Sequence, residues 1–439
     1  MSTRASWRRG VALWLCLFAV YCANGREIGA GDTQPSVVLP IAVLRGDGFT
    51  LDRYRALWPW EKAYYLAERR GHWVSRFPIG PGAMSVPFVA PQLWVLDALE
   101  PNWEADPVGA MLWARRMSKH ASAAITALTG VAIDRTLLTL GLGSVALPAT
   151  IIATLGSNLW MTASQSAWQH GGATLALATT VALLLPTPTA RWRLILAGGT
   201  TALIAFARPG VGFWSVLIAL WVVHRHRRGA GWFFLLPPLV AVPLLAWNVW
   251  YFGHPLGGYH ELMQMVGNHS HAVQGYWDAN FRAALPGTLF SPSRGLFVFS
   301  PWVPLCLLTL PAIWPRLRHW SLVRVLLLGI PMLLLQTLTQ STWWAGWTFG
   351  PRFWTDVMPV FAIILGFALA WARERAPAYF ATLLAAGAVA IAIQAVGAFT
   401  YPSTFSWHPN NVDRNHERLW SWRDGELARG LREGPHPWE

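Results

Sequence analysis

A single acid within a glycine-rich segment is the first feature of the sequence suited to chemistry. Asp32 lies in the segment EIGAGDT (residues 27–33), whose glycines allow the backbone to approach a ligand closely. A carboxylate there is suited to act as a general base that takes a proton from an attacking hydroxyl group. The alternative is a solvated aspartate in a turn, because a carboxylate near a cleft marks a site only probabilistically. The segment makes Asp32 the candidate catalytic residue.

Three arginines have surroundings that favour binding of an anion. Arg208 precedes Pro and Gly between two apolar segments, so it needs a negative partner or a water-filled cavity. A bound phosphate matches guanidinium geometry, whereas an arginine at the membrane interface is the alternative. Arg294 and Arg352 each begin a predicted helix, where the N-terminus favours anions. The three are predicted to hold a phosphate, although Arg352 also has the spacing for a structural i, i+4 pair with Asp356.

Further polar side chains are predicted to contact the substrate, and none is predicted to bind a metal. Glu27, His170 and Tyr259 are placed to meet hydroxyl groups of a substrate. His269 and His271 have a spacing seen in metal sites, but no carboxylate or cysteine closely accompanies them. A Walker A loop is absent from the sequence, and we expect no cofactor.

The elements that position these residues are predicted to lie in a membrane. Apolar residues make up 54% of the chain and charged residues 13%, about half the share in soluble proteins. No Asp or Glu occurs between Arg135 and His260. A bilayer accounts for this because a charge in hydrocarbon costs several kcal/mol. The 29 tryptophans agree, since aromatic rings gather at membrane interfaces. A soluble protein is excluded.

The net charge of +13 does not indicate nucleic-acid binding, because the basic residues stand in short clusters between apolar runs. This arrangement is the positive-inside pattern of membrane proteins, in which such connectors face the cytoplasm. The clusters are Arg4/Arg8/Arg9, Arg191/Arg193, Arg225/Arg227/Arg228, Arg316/Arg318/Arg324 and Arg373/Arg375. We therefore expect membrane lipids as partners and no nucleic acid.

The apolar runs predict an all-α polytopic bundle of about 11 transmembrane helices that forms one domain over residues 1–439. The run from residue 11 to residue 23 is interpreted as an uncleaved first helix rather than a secretory signal. Residues 24–117 form a large extracytoplasmic loop with juxtamembrane helices, in which the run 86–99 is too short to cross. The apolar pair around Arg208 enters the membrane and returns, and residues 400–439 form an extracytoplasmic tail. The other crossings are predicted near residues 118–135, 137–156, 171–187, 232–251, 295–313, 321–339, 355–371 and 378–399.

This order of elements resembles the GT-C superfamily of polytopic glycosyltransferases. The superfamily includes the dolichyl-phosphate-mannose protein mannosyltransferases and the bacterial aminoarabinose transferase. The likeness covers residues 26–424 and is strongest to an uncharacterised bacterial branch. The segments that carry it are REIGAGDTQP, SQSAWQHG, WYFGHPLGGY, SPSRGLFVFSP, WWAGWTFGPRF and NVDRNHERLWSWRD.

The resemblance implies a GT-C glycosyltransferase that uses a polyprenyl-phosphate sugar donor outside the cytoplasmic membrane and inverts the anomeric carbon. The acceptor would be a glycan, a lipid or a protein. The early acid of the superfamily corresponds to Asp32, but the adjacent second acid that relatives often carry is absent, and Glu27 is a poor substitute. Arginines that hold the donor phosphate in relatives match Arg294 and Arg352.

Two other functions are compatible with parts of the pattern. A lipid or sugar transporter would show inverted repeats and broken helices near the bilayer midplane. The sequence shows no such internal symmetry, and its polar residues cluster outside. A non-catalytic protein that binds lipid-linked glycan would be distinguished from the enzyme by substitution of Asp32.

Overall fold

The structure is a computed structural model that describes residues 3–57, 63–269, 281–346, 348–400, 412–413 and 415–435. It is a bundle of α-helices, accompanied by one two-stranded antiparallel hairpin of β1 (Leu66–Arg69) and β2 (His72–Ser75). The first helices are α1 (Thr3–Cys22), α2 (Gln34–Leu44), α3 (Gly80–Leu99), α4 (Pro107–Thr139), α5 (Ala146–Leu155), α6 (Gln169–Leu184), α7 (Arg191–Ala207), α8 (Phe213–His226) and α9 (Pro237–Phe252). They are followed by α10 (Gly258–His269), α11 (Phe281–Phe290), α12 (Leu296–Phe299), α13 (Trp302–Leu308), α14 (Leu310–Leu317), α15 (Ser321–Thr339), α16 (Met358–Arg375), α17 (Pro377–Thr400) and α18 (Glu426–Glu433).

The expected all-α membrane bundle is confirmed. Within the described ranges, five helices are long and apolar enough to cross a membrane, or six if one pair bent by 61° is counted as a single span. The five are Gly80–Leu99, Pro107–Thr139, Ser321–Thr339, Arg352–Arg375 and Pro377–Thr400, and the bent pair is Phe213–Phe234 with Pro237–Phe252.

Several predicted boundaries were wrong, and local chemistry explains each difference. Helix α3 begins at Gly80 rather than near residue 86, so it reaches 20 residues and is long enough to cross. Helix α4 begins at Pro107 because the Asp106 carboxylate caps it, accepting from the Gly109 amide at 2.8 Å. The predicted crossing 295–313 is divided into α12, α13 and α14, because prolines follow Ser300 and Leu310 and remove backbone donors.

The first loop has an apolar core of its own. Side chains of α2, α3, the hairpin region and the N-terminal part of α4 pack together, with Val38, Leu51 and Leu93 almost completely buried. The larger core joins helices from α4 to α17 and contains Trp214 and Trp302. The segments after residue 24 are therefore held as a folded unit against the bundle.

The two ends of the bundle differ in chemistry. The span Arg352–Arg375 extends for about 36 Å at 1.5 Å per residue, with Arg352 at one end. At the other end Arg373 donates to the Ser144 carbonyl at 3.2 Å, and Arg316 pairs with Glu374 at 2.6 Å. The basic connectors thus collect at the end remote from Arg352.

The proposed orientation has a direct test in accessibility reporters. Reporters at Glu61, Asn268 and Asp413 should all label from outside, and reporters at Arg227 and Arg318 from inside. Glu61 lies outside the described residues, as does the side chain of Asn268. Labelling of Glu61 and Asn268 from opposite sides would contradict the topology.

Candidate active site

Asp32 and Arg352 form an ion pair, although 320 positions separate them in the sequence. The Arg352 guanidinium donates from Nη1 to Oδ2 of Asp32 at 2.8 Å. The side chains remain 18% (Asp32) and 13% (Arg352) exposed. The fold therefore brings the predicted base and one predicted phosphate ligand together at an accessible surface.

Asp32 is fixed by the turn that precedes α2. The Ile28 amide donates to the Gln165 carbonyl at 3.1 Å, which attaches the segment to the bundle. The Thr33 hydroxyl accepts from the Ala30 amide at 3.1 Å and closes the turn. At Gly31 a Cβ atom would collide with the Tyr64 phenol, so glycine is required by close approach.

The ion pair lines a cavity of about 560 Å³, which is within the size range of small-molecule sites. Aromatic side chains form much of its wall, and a few polar groups point into it. Its lining comprises Ala30, Gly31, Asp32, Tyr64, Phe77, Tyr259, Leu262, Met263, Thr342, Ala345, Gly346, Arg352, Phe353 and Asp413. Tyr259, predicted to contact substrate, is thus in the same cavity as Asp32.

Arg352 is held by aromatic rings and retains donor capacity. Its guanidinium carbon lies 4.7 Å from the Trp168 ring centre and 5.7 Å from that of Phe353. Its buried Nε has no hydrogen-bond partner among the described residues. A guanidinium has five N–H donors, so Arg352 is able to bind an anion in addition to Asp32.

Arg208 and His170 meet in a buried cluster beside the cavity, not in its lining. Arg208 Nη1 lies 3.0 Å from Oδ2 of Asp356, and His170 Nδ1 lies 3.1 Å from the same carboxylate. The guanidinium carbons of Arg208 and Arg352 lie 5.6 Å and 5.7 Å, respectively, from the centre of the Phe353 ring. This cluster supports the segment that carries Arg352.

The structural i, i+4 pair between Arg352 and Asp356, which the sequence offered as an alternative role for Arg352, does not form. Residues 352–357 form a 3₁₀-helix, in which positions i and i+3, rather than i and i+4, share a face. Arg352 therefore pairs with Asp32, and Asp356 pairs with Arg208.

Arg294 is completely surrounded by protein and is absent from the cavity lining. Its Nη1 lies 2.5 Å from Oε1 of Glu426, and both side chains are 2% exposed. Its Nε donates to the Trp344 carbonyl at 2.8 Å, and its Nη2 donates to the Gly346 carbonyl at 3.0 Å. Arg294 thus connects the segment before α12 to α18 and to the loop that lines the cavity.

Breaking the buried pair by removing one partner should cost more stability than breaking a surface pair. We expect Glu426→Ala to destabilise the protein by about 3–5 kcal/mol, because it leaves the Arg294 charge buried without its partner. The matched control is Glu374→Ala, which breaks an exposed pair with Arg316 and should cost no more than about 1 kcal/mol. Thermal unfolding followed by tryptophan fluorescence measures both. Equal losses for the two variants would contradict the structural role of Arg294.

Glu27 lies outside the cavity lining. Burial raises the pKa of its carboxyl, while Arg115 and Lys119 nearby act in the opposite direction. The structure therefore separates Glu27 from Asp32, although the two are five positions apart in the sequence.

Most of the cavity wall was not predicted from the sequence, including four residues with aromatic or charged side chains. Tyr64, Phe77 and Phe353 provide aromatic surface, and Asp413 adds a second carboxylate. The Tyr64 phenol is protonated at neutral pH and is therefore available as a donor. The only sequence signal for these residues was the presence of Phe353 and Asp413 in the segments that resemble GT-C proteins.

In the described ranges, no group of three or more His, Cys, Asp or Glu side chains is placed to hold a metal ion. His271 and the side chain of His269 lie outside the described residues.

Comparison with known proteins identifies the fold. No family model matches the sequence, and no curated protein matches it. The fold is similar to the crystal structure of ArnT from Cupriavidus metallidurans bound to undecaprenyl phosphate, with a TM-score of 0.51 and 14% sequence identity. The similarity covers 92% of this chain and 68% of ArnT. ArnT is a GT-C aminoarabinose transferase, so the GT-C-like polytopic membrane fold implied by the sequence is confirmed.

Proposed function

We propose that this protein is an inverting glycosyltransferase that moves a sugar from a polyprenyl-phosphate donor to an acceptor at the outer face of the cytoplasmic membrane. The observation that carries the proposal is the Asp32–Arg352 ion pair on the wall of the 560 Å³ cavity. A base and a phosphate-binding cation are the two groups that such a transfer requires. The fold shared with ArnT, whose structure contains undecaprenyl phosphate, supports this choice of donor.

In the proposed reaction Asp32 accepts the proton of the acceptor hydroxyl group as its oxygen attacks the anomeric carbon. The bond between that carbon and the phosphate oxygen breaks on the opposite face, which inverts the configuration. The donor phosphate diester leaves as a monoester, so negative charge develops on its oxygen. Arg352 stabilises this charge with preformed N–H donors.

The ion pair also suggests how donor binding prepares the base. Arg352 donates to Oδ2 of Asp32 at 2.8 Å. A donor phosphate that binds the other N–H groups of the guanidinium shares its charge and weakens that contact. The Asp32 carboxylate then becomes a better acceptor for the proton of the hydroxyl group. Binding of the donor thus activates the base by weakening its hydrogen bond to Arg352.

The roles of Arg208, His170 and Arg294 follow from their contacts. All three are buried and engaged with protein groups, so we assign them to positioning rather than to direct contact with the donor. Arg208 and His170 hold Asp356 beneath the segment of Arg352. Arg294 holds the loop of Trp344 and Gly346, which borders the cavity.

A transfer assay tests the proposal. The purified protein in liposomes would receive undecaprenyl-phosphate donors with labelled sugars, and membranes from a strain lacking the protein would supply acceptors. We expect labelled product with an inverted anomeric configuration. Retention of configuration would contradict direct displacement, and donor binding without transfer would identify a non-catalytic binding protein. Movement of intact donor across the liposome membrane would indicate a transporter.

A further inference from the structure

The C-terminal tail contributes a carboxylate to the cavity. Asp413 lines the same cavity as Asp32, Tyr64 and Arg352. The Trp344 indole donates from Nε1 to Oδ1 of Asp413 at 2.6 Å, which fixes the direction of the carboxylate. The Asp413 side chain is exposed.

The tail is attached firmly enough to act as part of the site. The Ser291 hydroxyl donates to the Leu419 carbonyl at 2.6 Å. Glu426 pairs with Arg294 at 2.5 Å, and its other oxygen accepts from the Gly350 amide at 3.2 Å. Gly350 is two residues before Arg352, so one buried network supports both Asp413 and the phosphate-binding arginine.

The chemistry of the wall separates it into two parts. Arg352 offers N–H donors and attracts an anion, whereas a carboxylate at Asp413 offers acceptor oxygens and does not attract a phosphate. Asp413 must therefore face a part of the substrate that carries hydroxyl donors. The rings of Tyr64, Phe77 and Tyr259 supply apolar and aromatic surface for the faces of a sugar ring. One sugar-phosphate head group carries both a phosphate, which Arg352 is suited to bind, and hydroxyl groups, which Asp413 is suited to bind.

We propose that Asp413 is a specificity-determining residue that accepts hydrogen bonds from hydroxyl groups of the donor sugar. This inference rests on the proposed function, because it assigns the donor phosphate to Arg352 and the donor sugar to Asp413. It makes the C-terminal tail a component of sugar recognition rather than an appendage of the bundle.

The test compares undecaprenyl phosphate with three lipids that carry a sugar on the same phosphate. Binding of undecaprenyl phosphate is measured beside binding of undecaprenyl-phosphate glucose, mannose and arabinose, in wild type and in Asp413→Ala. We expect wild type to bind at least one sugar-bearing lipid more tightly than undecaprenyl phosphate. Asp413→Ala should reduce that preference by about tenfold to hundredfold, the range for hydrogen bonds to a charged group. Its affinity for undecaprenyl phosphate should stay within about twofold, which also shows that the variant is folded.

The matched control is Asp424→Asn, which alters another tail acid that pairs with Arg429 at 2.5 Å and lies outside the cavity lining. It should keep both affinities. A full sugar preference in Asp413→Ala would overturn the inference while leaving the proposed function intact. The inference is also overturned if the wild-type protein binds undecaprenyl phosphate but prefers none of the sugar-bearing lipids. Wild type that binds none of these lipids contradicts the proposed function itself.

Discussion

Asp32→Asn should lower the rate of sugar transfer by about 10²–10⁴-fold, the usual contribution of a general base. The amide keeps the shape of the side chain, and its carbonyl oxygen is able to accept from Arg352, but it does not take a proton at neutral pH. Expression, thermal stability and donor affinity should therefore stay close to wild type. The measurement is single-turnover transfer from the undecaprenyl-phosphate donor that wild type uses, beside donor binding and thermal unfolding.

Asp47→Asn provides the matched control for this variant. Asp47 belongs to the same first loop and pairs with Arg53 at 2.7 Å, but it lies outside the cavity lining. Its replacement should leave the transfer rate unchanged within about twofold, because exposed ion pairs contribute little. Turnover of Asp32→Asn within about tenfold of wild type would assign the base to another residue. Asp413, the other carboxylate of the cavity, would then be the next candidate.

Composition predicted the class of fold because the bilayer constrains sequence so strongly. The absence of acids between residues 135 and 260 and the recurrent apolar runs predicted a membrane protein built of helices. Helix boundaries were harder to predict, since a capping side chain or a proline changes them by several residues. The Asp106 cap and the breaks between α12, α13 and α14 are examples.

The sequence indicated which residues carry chemistry more reliably than it indicated their partners. Asp32 and Arg352 were both singled out by local pattern, but nothing local relates two residues that are 320 positions apart. Arg294 has the same local signals as Arg352, namely a glycine within two residues and the start of a helix. The fold separates the two residues, because Glu426 of α18 neutralises Arg294 within the protein. A tertiary partner therefore decides which arginine remains available to a ligand.

Arg352→Lys should weaken donor binding and lower transfer by about 10²–10³-fold, the range seen when one stabilising donor is removed. Lysine keeps the positive charge and is still able to pair with Asp32. It lacks the planar group that lies against Trp168 and Phe353, and it offers a point charge in place of a fork of donors. The loss should appear for undecaprenyl phosphate and for every sugar-bearing donor alike, because Arg352 binds the part that these ligands share. Binding and single-turnover rates measured on the same preparation check this.

If Arg352 had only a structural role, its replacement by lysine would lower the unfolding temperature without changing donor affinity. Arg45→Lys is the reference for that outcome. Arg45 donates to both oxygens of Asp97, at 2.7 and 2.5 Å, in the first loop and away from the cavity lining. Arg45→Lys should lower the unfolding temperature while donor affinity is unchanged. Arg352→Lys should show the reverse, with an unfolding temperature near that of wild type and poor binding of undecaprenyl phosphate.

If Arg352→Lys unfolds early and binds undecaprenyl phosphate normally, the arginine only holds Asp32 in place. The donor phosphate would then have to bind elsewhere, and the Arg208–His170 cluster behind Phe353 is the nearest group of that chemistry, because Arg208 lies against the same ring.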